Sequence, residues 1–291
     1  MKNQDNKKKT LKNKMKSSLL KIFLLYKKGI EEMEYLENPV YTEWKFKFVG
    51  NKFMVTGNFE PFETNIVRKL LSKSDVFINI GANVGYYCCH ALSLGKPVIA
   101  FEPIVRNLRF LYKNIQINGW ENVEIYPIAL SNKIGVIDIY GSNTSSSIIN
   151  GWANNSEFNK TLVPVSTLDL VLHNRIKGKR ALILVDIEGA EKKMLDSASK
   201  ILNNNPKPIW IIEIVTKQHQ PIGIEFNPNF SEIFRSFFRK GYKAIYADDN
   251  LLPVTIEEVE KIERDKKELN TYNFLFYDDN NFEIIKDLYD K

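Results

Sequence analysis

The stretch INIGANVG, Ile78 to Gly85, and the acidic run VDIEGAE, Val185 to Glu191, carry residue types that do chemistry. In the first, Gly81 lets the chain turn sharply after an apolar run. Gly85 lets a helix begin close to a ligand, where free N–H groups draw negative charge or electron-rich oxygens. Such turns also simply connect elements in α/β proteins, so a second feature must decide. Glu102 is that feature. It closes VIAFE 17 residues past Gly85, the range in which an acidic side chain accepts from both ribose hydroxyls and repels a 2′-phosphate. A solvated strand-end glutamate is the plainer reading of Glu102 taken alone. Together the two features ask for an adenosine with a free ribose, which S-adenosylmethionine and the dinucleotides both contain. A pyrophosphate wants G-x-G-x-x-G, and Asn83 fills the middle glycine's place, which argues against NAD and a nucleotide-sugar oxidoreductase.

The second run puts Asp186 at a strand end, Glu188 in the following turn and Glu191 in the first helical turn, while Glu213 ends the next strand. Four carboxylates near one rim are costly to leave unpaired. Either a proton is shared, raising a pKa toward that of a useful base, or a hard cation such as Mg²⁺ sits among them. Glu191 is read as complementing the helix N-terminus. His219, in TKQHQP, is a second candidate base, but no partner is visible in sequence and a solvated loop residue is the expectation. His90 and His173 read as packing or surface residues, and Cys88 and Cys89 as buried, inert thiols.

These residues need a scaffold. From Asp75 onward, short apolar runs alternate with helical patterns, the mark of a parallel sheet covered on both faces. Strands are expected at 76–80, 97–101, 123–127, 181–185, 209–214, 242–247 and 272–276, with helices near 85–94, 104–117, 189–202 and 230–239. Ahead of them, alternation over 41–60 (Trp44, Phe46, Phe48, a turn at 49–52, then Phe53 and Val55) predicts a β-hairpin, and Pro61 opens a helix. Residues 133–165 form a Ser- and Asn-rich insertion, expected to be an extra strand plus a mobile loop. Its Tyr140, Trp152 and Phe158 could stack on a sugar face or form a small core of their own.

The chain has 291 residues and 44% apolar content, enough for one large domain with an appendage. Its net charge of +6 is concentrated at one end: residues 1–28 hold ten lysines against Asp5, leaving about −3 elsewhere. The body therefore lacks the basic, aromatic-interleaved surface of a nucleic-acid binder. Residues 1–40 read as a basic amphipathic helix or tail ahead of a main domain at 41–291. Met15, Leu19, Ile22, Tyr26, Ile30 and Met33 make one apolar stripe among lysines. Residues 7–30 could lie on an anionic membrane surface, or dock on the body or on a second copy to make a homodimer. The apolar run is too short to span a bilayer and no cleavage site follows it, so the expectation is a cytoplasmic protein, peripheral at the inner membrane face if the stripe meets lipid.

The sequence also resembles the FkbM-type S-adenosylmethionine-dependent methyltransferases over roughly 60–276. The likeness rests on INIGANVG, AFEPIVRNLRFLYKNIQING, YPIALSNKIG, VPVSTLDLVL, VDIEGAEKKML, IIEIV and NFLF. The resemblance implies a Rossmann-like seven-stranded sheet with helices on both faces and O-methyl transfer, with sugar or glycan hydroxyls frequent among the acceptors. It implies that Gly81, Ala82, Asn83 and Gly85 line the methionine and ribose part of the cofactor, that Glu102 holds the ribose, and that Ala129, with the residues to Ser131, approaches the adenine edge. Glu60 matches an acidic position that could meet the cofactor's ammonium or simply open a helix. Asn79 stands where the family usually has aspartate, and Leu184 where it commonly has lysine. The loss of charge at Asn79 is expected to weaken cofactor binding about tenfold. Methyl transfer needs the acceptor oriented and its proton removed. For that work Asp186 and Glu188 are the candidates in base or substrate-positioning roles, with Glu213 in support. The competing reading, fed by Asn79 and Leu184, is a non-catalytic adenosine-ligand binding protein tethered by its N-terminal helix.

Overall fold

The computed structural model describes residues 26, 29, 33, 35–142, 144–172 and 174–289. Most of the basic segment read at 1–40, nearly all of the stretch at 7–30, and His173 lie outside them. The strands are β1 (Val40–Tyr41), β2 (Lys47–Phe48), β3 (Val76–Ile80), β4 (Val98–Phe101), β5 (Val123–Tyr126), β6 (Ala129–Leu130), β7 (Gly135–Tyr140), β8 (Lys160–Ser166), β9 (Ala181–Val185), β10 (Ile209–Glu213), β11 (Lys243–Tyr246), β12 (Pro253–Val254) and β13 (Asn273–Tyr277).

The central sheet has the order β12-β11-β13-β10-β9-β3-β4-β5, with β10, β9, β3, β4 and β5 parallel and β13 antiparallel between β10 and β11. This is a Rossmann-like α/β sheet of eight strands rather than seven. The additional member, β12, is a two-residue edge strand whose Pro253 suits an edge position. From β3 the chain steps outward through β4 and β5, then returns to the other side of β3 as β9. The order therefore reverses between β3 and β9, where ligands of open α/β sheets bind.

Both faces are covered because strand residues alternate. Ile78, Ile80, Ile183, Val185 and Ile212 pack under Leu168, Met194, Phe230, Phe234 and Val259. Phe77, Leu182, Leu184 and Ile211 pack on the other side, under Val67, Leu70, Cys88, Leu111 and Ile115. The helix expected at 189–202 is two pieces, Glu191–Leu195 and Ser199–Leu202. Ser197 Oγ donates to the Met194 carbonyl (2.9 Å) and across to that of Ser131 (2.8 Å), and the Asp169 carboxylate caps the second piece by accepting from Lys200 and Ile201 N–H. A serine that bonds back to the backbone bends or ends a helix.

The hairpin expected over 41–60 is corrected. β1 pairs antiparallel with β2, and in place of the expected second strand through Phe53 and Val55, Lys52–Val55 is a helical turn whose cap, Asn51, accepts from Phe53 N–H. The cause is tertiary. Asn118 takes the N–H and C=O of Lys47 (2.8 and 2.7 Å), and Asn114 takes those of Val49 (2.7 and 3.0 Å). Helix Val105–Gln116 and its C-terminal extension thus satisfy the backbone that a second strand would have paired. The insertion holds more strand than expected: β7 pairs antiparallel with β8 along its length, β6 pairs parallel with β8, and the loop folds back through a Tyr140–Ser147 bridge.

Candidate active site

Register sets the site. Ile80 lies level with Phe101 and Val185, and Val185 level with Ile212. Glu102, Gly81, Asp186 and Glu213 therefore form one row along the crest of four adjacent strands. At about 4.8 Å per strand the row runs roughly 14 Å, the reach of an elongated small molecule.

Gly81 cannot be replaced without movement. It has φ +84°, and a Cβ there would sit 1.8 Å from the Asp186 carbonyl oxygen. Its N–H and that of Ala82 both donate to the Phe101 carbonyl (2.9 Å each), which folds the turn over the end of β4. Asn83 is left-handed (φ 50°), and its N–H donates to Glu102 Oε2 at 2.8 Å. Glu102 Oε1 accepts from Ile104 N–H (2.8 Å) and Asn107 Nδ2 (3.3 Å). Its carboxyl is buried, and desolvation pushes its pKa up to about 7 in spite of these donors.

Two cavities flank the row. The first is lined by Gly81, Asn83, Glu102, Ala129, Asp186 and Glu188, together with Thr144, Ser146 and Ile148 of the insertion. The second is lined by Glu60, Asn79, Gly81, Ala82, Asn83, Asp186 and Glu213, together with Leu184. Gly85 faces neither; a Cβ there would meet Leu111 Cδ1 at 2.4 Å, so it seats the helix Tyr86–Ser93 against its neighbour. Ser131 is buried, its N–H bonded to the Ser166 carbonyl.

The acidic residues divide by environment. Asp186 and Glu213 are in side-chain hydrogen-bond contact. Burial raises both pKa values, so the pair favours sharing a proton. Leu184 beside them brings no cation. Glu188 is left-handed (φ 55°) and its pKa is raised by burial and by Asp186. Its Oε2 accepts from Trp152 Nε1 at 2.6 Å and lies 3.3 Å from His219 Nδ1. Glu191 is buried, accepts from Gly189 N–H at 3.1 Å, and is pushed up to about 8 by burial. Glu60 lies on the cleft wall, water-accessible yet crowded by protein. Desolvation pushes it up to about 7, and Tyr87 OH donates to it at 2.6 Å.

His219 is an exposed loop residue, as expected, yet it has a partner in Glu188. Trp152 is a partner to both, its ring edge-on to the imidazole at 6.0 Å. Gly189 is the one local sign of this contact, because a Cβ there would lie 2.4 Å from the Trp152 ring. His90 packs among Trp44, Phe46 and Tyr86, and Cys88 and Cys89 are buried free thiols, as their positions imply. The divalent cation, the alternative reading of the acidic run, finds no donor set: among the described residues no group of three or more His, Cys, Asp or Glu is arranged to hold a metal.

Three buried oxygens at the row, Asn79 Oδ1, Asn83 Oδ1 and Asp186 Oδ1, have no hydrogen-bond partner. Buried acceptors without donors are costly, and a ligand with an ammonium group and a positively charged centre answers them. A pyrophosphate, facing Glu102, Asp186 and Glu188, does not.

A family model described as the methyltransferase FkbM domain matches residues 79–244. No match is found among curated proteins. Among solved structures, the chain is similar to precorrin-6y C5,15-methyltransferase from Geobacter metallireducens GS-15 (12% identity, 79% of this chain and 93% of that one, TM-score 0.42). It is also similar to a SAM-dependent methyltransferase from Agrobacterium tumefaciens (12% identity, 83% and 69%, TM-score 0.41) and to a putative O-methyltransferase from Klebsiella pneumoniae (13% identity, 76% and 80%, TM-score 0.37). Among the described residues no helix is long and apolar enough to cross a membrane.

Proposed function

The chain belongs to the FkbM methyltransferase family, and on that footing we propose that it transfers a methyl group from S-adenosylmethionine to a hydroxyl of a sugar or glycan precursor. The observation that carries the reading is the set of unpartnered oxygens on Asn79, Asn83 and Asp186, beside a buried Glu102 placed to accept from a ribose. When bound, the cofactor supplies a methyl group on a positively charged sulfur, an electrophile that needs no further activation.

The residues do the rest. Glu102 grips the ribose hydroxyls, the first cavity's apolar wall of Ile128, Leu130 and Ile139 receives the adenine, and Ala129 lies at its edge. Asn79 and Asp186 face the ammonium and positive centre from the second cavity. A wider cleft, lined by Asn51, Lys52, Thr56, Arg106, Thr144, Asp186 and Glu188, receives the acceptor. Its lining joins these polar groups to an apolar wall of Met54, Val55, Phe59, Val84 and Phe110, which suits the hydroxyls and the C–H face of a sugar. Glu188 accepts the hydroxyl proton, and the raised pKa it shares with Asp186 makes it a better base than an exposed glutamate. We further propose a cytoplasmic setting, which the free thiols of Cys88 and Cys89 support.

Calorimetry with S-adenosylmethionine, its demethylated product and NAD tests the cofactor: heat is expected with the first two and none with the third. Incubation with labelled methyl donor and a cell glycan extract tests the acceptor class. Glu188→Gln should lower labelling by 100-fold or more, the usual scale of general-base catalysis. Equal labelling by that variant would remove Glu188 from the chemistry.

A further inference from the structure

His219 sits in the loop after β10, where sequence shows it no partner, yet the fold gives it a fixed place. Its Nδ1 lies 3.3 Å from Glu188 Oε2, and its carbonyl accepts from Ala153 N–H at 2.8 Å. Ala153 (φ 49°), His219 (φ 63°) and Glu188 (φ 55°) are all left-handed, a conformation that costs non-glycine residues energy and persists only where the surroundings enforce it. Three loops, from the insertion, from the turn after β9 and from the end of β10, are thus held in strained conformations at the point where these side chains meet.

Exposure differs across the pair. Glu188 is 14% exposed and lines the cleft, whereas the His219 side chain is 48% exposed and faces outward. Both protein partners of the Glu188 carboxylate, Trp152 and His219, engage Oε2, which leaves Oε1 as the oxygen to meet an acceptor. With Nδ1–H directed at a carboxylate, the neutral imidazole keeps an unprotonated Nε2 on the solvent side. This is the orientation in which a carboxylate fixes a histidine tautomer.

We propose that His219 is a positioning residue that donates Nδ1–H to Glu188 Oε2 and so holds Oε1 toward the acceptor hydroxyl. The inference rests on the reading of Glu188 as the base. As the new O–C bond forms and the C–S bond breaks with its electron pair going to sulfur, the acceptor O–H proton passes to Glu188. Glu188 releases it to water from Oε1 once the products leave, while Nδ1–H stays on Oε2, so each transfer frees one proton and restores the pair. The charged groups facing the imidazole are Glu188 and, behind it, Asp186, both from the turn after β9; Trp152, from the insertion, does not titrate, and Lys217 stands on the same loop.

Two measurements decide it. Nitrogen-15 histidine NMR on the full chain, which has only three histidines, should show neutral His219 as the Nδ1–H tautomer, reverting to the common Nε2–H form in Glu188→Gln. An Nε2–H tautomer in the wild type overturns the proposal whatever the acceptor proves to be. In labelled-methyl transfer to the glycan extract, His219→Ala should lose about 10-fold in rate with unchanged calorimetric affinity for S-adenosylmethionine, and His219→Gln, whose amide N–H can donate to the same oxygen, should keep more of the rate. Full activity of His219→Ala across pH 6–9, in an enzyme that Glu188→Gln inactivates, would show that the carboxylate needs no such hold and sink the proposal. If Glu188→Gln also stays active, it is the base assignment that has failed. If the wild type labels nothing, the acceptor reading has failed, and the tautomer still decides the pair.

Discussion

Glu102 has its three protein donors on the backbone and on Asn107, so its remaining lone pairs are aimed by a fixed frame. Glu102→Gln should weaken S-adenosylmethionine binding about 10- to 100-fold by calorimetry, since a hydrogen bond to a charged group contributes roughly 1.5–3 kcal/mol. Asn79 is a quieter case. Asn79→Asp should bind the cofactor up to about tenfold more tightly but unfold at a lower temperature when empty, because it adds a buried charge next to Asp186 and Glu213. Gly81→Ala should lose cofactor binding outright, as the added carbon meets the Asp186 carbonyl. Gly81, Asn83, Glu102 and Asp186 were legible in the sequence because type and spacing along one or two neighbouring strands define them. The Glu188–His219–Trp152 cluster was not. Its members lie 31 and 36 positions apart and are joined only by how three loops fold.

Among the elements, the helix Val105–Gln116 does more than cover the sheet. Asn114, fully buried, donates to Val84 O in the glycine turn (2.9 Å) and to Val49 O while accepting from Val49 N–H, so one amide ties the N-terminal segment to the cofactor turn. Asn114→Leu should cost at least about 3 kcal/mol in urea unfolding, because it strands three buried backbone groups. The same variant should weaken cofactor binding with no contact to the ligand removed. Sequence alternation over 41–60 pointed to a hairpin since period-two patterning does not say what supplies the hydrogen bonds. Here two asparagines from a helix supply them. The parallel strands, by contrast, were readable almost to the residue, because continuous apolar runs bounded by glycine and proline leave a buried strand few alternatives.

At the scale of the whole molecule, the crest of the sheet gathers acids that folding protonates. Glu102 rises from 4.5 to about 7, Glu191 from 4.5 to about 8, and Glu213 further. The native state therefore binds more protons than the unfolded chain between about pH 4.5 and 8. The stability these groups contribute is complete below pH 4.5 and is lost as pH rises through that window, about 3 kcal/mol of it at Glu102 alone. His90, lowered to about 3 by burial, acts in the opposite sense below 6.5, so above 6.5 the decline is unopposed. Scanning calorimetry of the ligand-free protein should show the midpoint falling from pH 6.5 to 8.5, and a shallower fall in Glu102→Gln. Of the four tryptophans, Trp44, Trp120, Trp152 and Trp210, only Trp152 donates to a cleft carboxylate, and it is almost wholly buried. The molecule thereby carries its own optical gauge: indole emission should report, without any dye or label, when a guest disturbs that carboxylate.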